Sequence, residues 1–322
     1  MTRQGKAIRS AAILVMVGVA AAATACSSST NSGSGSTSAT SGSSPAEAKI
    51  VAVGAENEYA DVISQIGGQY VTASAIMSDP NTDPHTFEAS VDVSKTVQAA
   101  TLIVQNGVGY DDFMGTIEKA TPNSARKVID VQQLRNLPDN TPNPHLWFDP
   151  ATMPVVAAEL VKDLSALQPD HASYFQDNET SFLNALKPWT DAIAAFRQQY
   201  PNVPVATTEP VADYMLDAAG TQNKTPWALQ AAIMNGTDPT PQDVATQRDL
   251  FANKQVKVFV YNQQVTNDLT AKFLAQAGAA GIPVVGVYET MPTDGYNYQK
   301  WMIAEVKALQ DAVANGTSAP KL

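Results

Sequence analysis

From residue 48 onward, short β-branched runs alternate with stretches of helical periodicity, and this alternation restricts the chain to parallel βα units. In the first half, residues 49–53, 71–77, 101–104 and 127–130 read as strands. Residues 56–66, 92–100 and 110–120 read as the helices between them, the first stopped by Gly67 and Gly68. The second half repeats the style without repeating the sequence. Residues 203–206, 256–261 and 282–287 read as strands, and helices are expected over 210–219, 267–278 and 298–314, with Gly220 placed to cap the first.

One segment joins the halves. Between His171 and Gln199 the apolar residues are Phe175, Phe182, Leu186, Trp189, Ile193 and Phe196, at steps that fit one helical face. Pro188 would kink this helix or break it. At helical rise the segment spans about 43 Å, enough to run the height of two lobes. The expected fold class is therefore α/β, with two lobes, each a mostly parallel sheet flanked by helices. An N-terminal lobe over 48–170 and a C-terminal lobe over 201–322 are joined by a linking helix over 171–200.

The N-terminus is of another kind. Arg3, Lys6 and Arg9 precede an apolar run from Ala11 to Ala23, and Ala23-Thr24-Ala25-Cys26 follows. That is a charged region, a short apolar region and a small-residue cleavage site, so residues 1–25 read as a signal peptide. The apolar run is too short for a comfortable membrane span. Cys26 is the only cysteine, which excludes an internal disulfide, and its position resembles a bacterial lipobox with Ala23 in place of the usual leucine. The plainer alternative is an ordinary secretory cleavage site beside an incidental thiol. Residues 27–44 carry no apolar side chain larger than alanine, so 26–47 is expected to be a lipid-anchored tether that cannot offset its ordering entropy by burial. The net charge of −11 argues against nucleic acid or a polybasic membrane patch.

The chain holds three histidines, and two of them, His85 and His145, sit in near-identical settings. Asp83-Pro84-His85-Thr86-Phe87-Glu88 follows a strand, and Asn143-Pro144-His145-Leu146-Trp147-Phe148-Asp149-Pro150 precedes a helix. In both, a proline stiffens the backbone just before the imidazole, as a preorganised ligand requires. Asp149 and Pro150 also read as N-cap and first residue of the next helix. His171, near the start of the linking helix, reads as structural or exposed.

These two segments resemble the histidine motifs of the zinc- and manganese-binding lipoproteins of bacterial ABC importers. The first motif, D-P-H-x-[FY]-E, is matched completely, and the second, D-P-H-x-W-x-D-P, is matched except for Asn143 in place of aspartate. The resemblance implies two further ligands from the C-terminal lobe. Glu209 occupies the place of one, just after that lobe's first strand, although a carboxylate there is ordinarily a solvated charge. Glu289 stands where the family usually has an aspartate after the last strand, and Asp294, five residues on, is the alternative. The implied ligand set of His85, His145, Glu209 and Glu289 carries two imidazoles and two carboxylates, whose charge a divalent cation neutralises.

The function implied is capture of one divalent transition-metal ion outside the cytoplasm, with delivery to the permease of an ABC importer. The chain is expected to act as a monomer held at the membrane by the lipid on Cys26. Nitrogen and oxygen ligands without thiolate suit Zn²⁺, Mn²⁺ or Fe²⁺. Two carboxylates and the lack of a His-rich loop tilt the expectation toward Mn²⁺, while the Irving–Williams order favours Zn²⁺ in a test tube. A metal-dependent surface adhesin is a second reading. A metallohydrolase is disfavoured, because four protein ligands leave no open coordination position and no H-E-x-x-H, G-x-S-x-G or P-loop signature is present.

Overall fold

The computed structural model describes residues 48–292 and 295–322. The signal peptide, the tether with Cys26, and Asp294 lie outside the described residues.

The N-terminal half runs β1 (Ile50–Glu56), α1 (Asn57–Gly67), β2 (Val71–Met77), α2 (Val91–Ala99), β3 (Leu102–Gln105), α3 (Asp112–Ala120), β4 (Lys127–Asp130), α4 (Val131–Leu134) and α5 (Thr152–Leu167). After α6 (Ala172–Gln199) come β5 (Pro204–Thr207), α7 (Asp213–Ala218), β6 (Gln222–Asn223), α8 (Trp227–Met234), α9 (Pro241–Ala252), β7 (Val258–Asn262), α10 (Asp268–Ala279), β8 (Val284–Val287) and α11 (Tyr298–Asn315). Each half builds a four-stranded parallel sheet, in the orders β2-β1-β3-β4 and β6-β5-β7-β8. In each, the first strand pairs with its successor on one side and with a later strand on the other. The carboxyl ends of β1/β3 and β5/β7 are thus the switch points at which open α/β sheets place their ligands. Gly54 lets α1 start close to β1, since a Cβ there would run into the Ala60 backbone.

The six apolar residues expected on one face of the linking helix are the six buried residues of α6. Pro188 lies inside the helix without ending it, because it is exposed, on the side where a freed carbonyl meets solvent. α6 packs against α1 and α5 of the first half and α7 and α11 of the second. One cluster of buried residues runs through both halves, from Ile50 and Trp147 through Phe182 and Trp189 to Val258 and Trp301.

One local expectation needs correction, and two features carry no sequence pattern. α5 starts at Thr152, not at Pro150: the Asp149 side chain accepts from the Ala151 N–H at 2.9 Å and is held by Arg135, so Asp149 and Pro150 form a turn that precedes the helix. The C-terminal sheet has a fourth strand, β6, too short and polar to carry a strand pattern. Helices α8 and α9 fill the stretch between β6 and β7, which the sequence pattern leaves unassigned. Gly220, at φ +72°, does follow the end of α7, where a left-handed residue closes the helix.

Hydrogen bonds cross between the halves on several sides of the crevice. Asn57 Nδ2 donates to the Met291 carbonyl at 2.7 Å, and Met291 N–H returns to Asn57 Oδ1 at 2.9 Å. Gln264 Nε2 donates to the Thr82 carbonyl, and Asn143 Nδ2 to the Pro210 carbonyl, both at 2.8 Å.

Candidate metal centre

Both histidines hang on the same backbone device. Asp83 Oδ1 accepts the His85 N–H at 2.9 Å, and Asn143 Oδ1 accepts the His145 N–H at 3.0 Å. In each case the side chain two residues upstream closes a tight turn over the intervening proline. His85 follows β2 in a 3₁₀ turn, Pro84–Thr86. His145 precedes the 3₁₀ turn Leu146–Phe148, whose three side chains are buried and anchor the loop. Glu209 and Glu289 each stand two residues past the end of a strand, β5 and β8. All four are therefore at carboxyl ends of strands or in loops that face them.

His85, His145 and Glu289 converge. His85 Nε2 and His145 Nε2 each lie 3.1 Å from Glu289 Oε2, and the Tyr110 hydroxyl donates to the same oxygen at 3.0 Å. Among the described residues these three form the group whose ligand atoms all lie within 4.8 Å of one another. Glu209 is one amide away. Asn262 Nδ2 donates to Glu289 Oε1 at 2.7 Å and to Glu209 Oε2 at 3.2 Å, while Glu209 Oε1 is buried without a partner. His145 and Glu289 are fully buried, and the His85 imidazole keeps 21% exposure, so it marks the solvent side of the centre.

The electrostatics follow from burial and proximity. Burial works to raise the Glu289 pKa, but the two imidazoles override it and hold the carboxyl well below its usual range. Burial disfavours the His85 imidazolium, yet the Glu289 charge outweighs it and raises His85. Burial lowers His145. Burial, followed by the Glu289 charge, pushes Glu209 well above the ordinary carboxylate value. The centre thus favours negative charge on Glu289, disfavours it on Glu209 beside it, and draws positive charge toward His85.

Several site residues escape sequence reasoning. Tyr110 bonds Glu289, Asn262 joins the two glutamates, and Gln264 Oε1 accepts the N–H groups of Glu289 and Thr290 at 2.6 and 2.8 Å. Asn57 fixes the next residue, Met291. The one available signal is position: Asn57 and Asn262 sit at the carboxyl ends of β1 and β7, the edge where ligands collect. His171 is not part of the centre; its ring stacks on Tyr70 with centroids 3.6 Å apart.

Known proteins share this chain's sequence and fold. A family model described as zinc-uptake complex component A, periplasmic, matches residues 53–312. The manganese ABC transporter substrate-binding lipoprotein PsaA of Streptococcus mitis is 24% identical over 219 residues, covering 62% of this chain and 67% of that protein. The metal ABC transporter substrate-binding lipoprotein SloC of Streptococcus mutans is 27% identical over 146 residues, 41% of this chain and 47% of SloC. Among solved structures, the periplasmic zinc-binding protein TroA from Treponema pallidum superposes with a TM-score of 0.69 at 17% identity, over 84% of this chain and 100% of TroA. The protein FpvC of Pseudomonas aeruginosa, in complex with Mn²⁺, superposes with a TM-score of 0.68 at 18% identity, over 84% of this chain and 100% of that one. With the model matched over most of its length and two parallel sheets meeting at a His–His–Glu centre, this chain belongs to the zinc-uptake component A family, the metal-binding solute-binding proteins of ABC metal uptake.

Proposed function

We propose that the protein captures one divalent transition-metal ion with His85 and His145 from the N-terminal lobe and Glu209 and Glu289 from the C-terminal lobe, and delivers it to an ABC importer's permease. The observation that carries this reading is the approach of both imidazole Nε2 atoms to one buried carboxylate oxygen, at 3.1 Å each. Buried carboxylates and imidazoles held this close are costly without a cation to share. Glu209 completes the set with its unpartnered Oε1. A bound ion would supply the positive charge that the Glu289 carboxylate draws toward His85. Two carboxylates make the donor set hard and favour Mn²⁺, with Zn²⁺ the competitor.

An ion held between the lobes binds the native state and not the unfolded chain, so it raises the melting temperature. At free Mn²⁺ of about 100 times Kd the expected gain is about 2.7 kcal/mol, and chelator removes it. Melting curves that coincide with and without chelator, on protein shown to carry metal, count against a site at this interface.

Tethering belongs to the same proposal. Among the described residues no helix is long and apolar enough to cross a membrane. A lipid on Cys26, as the mature N-terminus, would hold the protein beside its permease. Mass spectrometry of the mature protein from its own host should find a diacylated or triacylated Cys26. An unmodified N-terminus at another residue excludes the anchor.

A further inference from the structure

Asn143 departs from the aspartate of the family motif, and its surroundings give that departure a use. Its side chain makes three hydrogen bonds. Oδ1 accepts the His145 N–H at 3.0 Å and lies 2.7 Å from His145 Nδ1, and Nδ2 donates to the Pro210 carbonyl at 2.8 Å. Its own carbonyl accepts from the Tyr214 hydroxyl at 2.8 Å.

The orientation of this amide is fixed by chemistry. A backbone N–H only donates and a proline carbonyl only accepts, so the oxygen must face His145 and the nitrogen must face Pro210. An amide oxygen carries no proton, so His145 Nδ1 must be the donor of the 2.7 Å bond. With its proton on Nδ1, the neutral ring turns its Nε2 lone pair toward Glu289 Oε2, 3.1 Å away, so that two acceptors face each other and call for a cation between them. The partner on the far side is Pro210, next to Glu209, in the opposite lobe. One buried side chain therefore touches an N-terminal ligand and the backbone beside a C-terminal one.

We infer that Asn143 is a positioning residue that presets His145 for metal and couples that ring to closure of the two lobes; this rests on the metal-binding reading above. An aspartate at 143 would keep the first task, since a carboxylate accepts from Nδ1–H. It would lose the second, because a carboxylate cannot donate to the Pro210 carbonyl and would be repelled by it. The neutral amide also keeps a third negative charge away from the two glutamates, which leaves a divalent ion and its ligands balanced.

Two variants separate the tasks. ¹⁵N-histidine labelling of Zn²⁺-loaded protein reports the ring protons directly, and the spectrum is assignable because the chain has three histidines. The wild type should show a slowly exchanging Nδ1–H on His145. Asn143→Ala should lose that protection and bind Mn²⁺ about 10–100-fold more weakly. Asn143→Asp should keep the ring proton, while hydrogen exchange at the amides of residues 211–213, next to Pro210, quickens. If Asn143→Ala keeps both the protected ring proton and wild-type affinity, the presetting role is refuted. If Asn143→Asp leaves exchange at 211–213 unchanged, the coupling role is refuted. A wild-type protein that binds neither Mn²⁺ nor Zn²⁺ would instead overturn the metal reading itself.

Discussion

Replacement of Glu289 by alanine is expected to weaken Mn²⁺ binding by more than about 100-fold. Groups that merely support a ligand are worth about 10–100-fold in affinity, and Glu289 is the carboxylate to which both imidazoles, Tyr110 and Asn262 converge. Alanine also strands the Tyr110 hydroxyl, at about 1–3 kcal/mol for a buried group left unpaired, and leaves the Asn262 amide with Glu209 alone. Glu289→Gln is the companion variant, because it preserves volume and removes the charge; it should fold and still fail to hold Mn²⁺. His85→Ala, His145→Ala and Glu209→Ala should each weaken binding strongly, and His171→Ala should not, since that ring stacks on Tyr70 away from the centre. Titration of these variants by isothermal calorimetry tests the assignment. Retention of binding in Glu289→Ala together with its loss in Asp294→Ala would move the fourth ligand to Asp294. The carboxylate variants should lose more Mn²⁺ than Zn²⁺ binding, because zinc tolerates fewer and more nitrogen-rich ligands.

A second large effect comes from a carboxylate outside the proposed ligand set. Glu305 of α11 is fully buried, with Oε1 accepting from Trp301 Nε1 at 2.9 Å and Oε2 without a partner. Burial pushes its carboxyl up to about 8, against the small opposing help of the Trp301 bond. In the unfolded chain it returns to the ordinary range near 4.5. Folding is thus favoured in full below about pH 4.5, and that share of stability is lost as pH rises through about 8. The loss at high pH is of order 5 kcal/mol. Asp111 and Asp213, each raised to about 7 by burial, bend the wild-type profile the same way. Glu305→Gln isolates one group: it keeps an acceptor for Trp301 and cannot ionise. Urea melts should show variant and wild type close together near pH 5, with the variant gaining several kcal/mol over wild type by pH 9. A difference that does not vary with pH would show that Glu305 is already charged in the folded protein.

The parts of the fold that announced themselves are those whose periodicity is enforced by burial. The face of α6 is legible because six large side chains must share one core. The strands are legible because β1, β3, β7 and β8 are apolar nearly throughout. β6 is two polar residues paired to the edge of β5, so its only sign is a backbone ladder that sequence does not write. Asp149 reads as a cap because aspartate before proline often is one, and only the fold shows Arg135 holding its carboxylate. The centre divides the same way. His85 and His145 carry distinctive chemistry in proline-stiffened positions, whereas Glu209 and Glu289 are implied only by the family resemblance. Asn57, Asn262 and Gln264 are ordinary amides whose roles depend on which loop of the opposite lobe arrives beside them. Such roles arise from tertiary placement, and single-sequence patterns are silent on them.

The core that runs unbroken from Ile50 to Trp301 has a thermodynamic consequence. Two-lobed proteins with separate cores commonly unfold in steps, because each lobe can melt while the other stands. Here neither sheet can come apart without uncovering Trp189, Phe182 and their neighbours on α6, which both halves cover. The folded region is therefore expected to melt in a single calorimetric transition, with the calorimetric and van't Hoff enthalpies equal. Any ligand held in the crevice would then protect the farthest helix as effectively as the nearest.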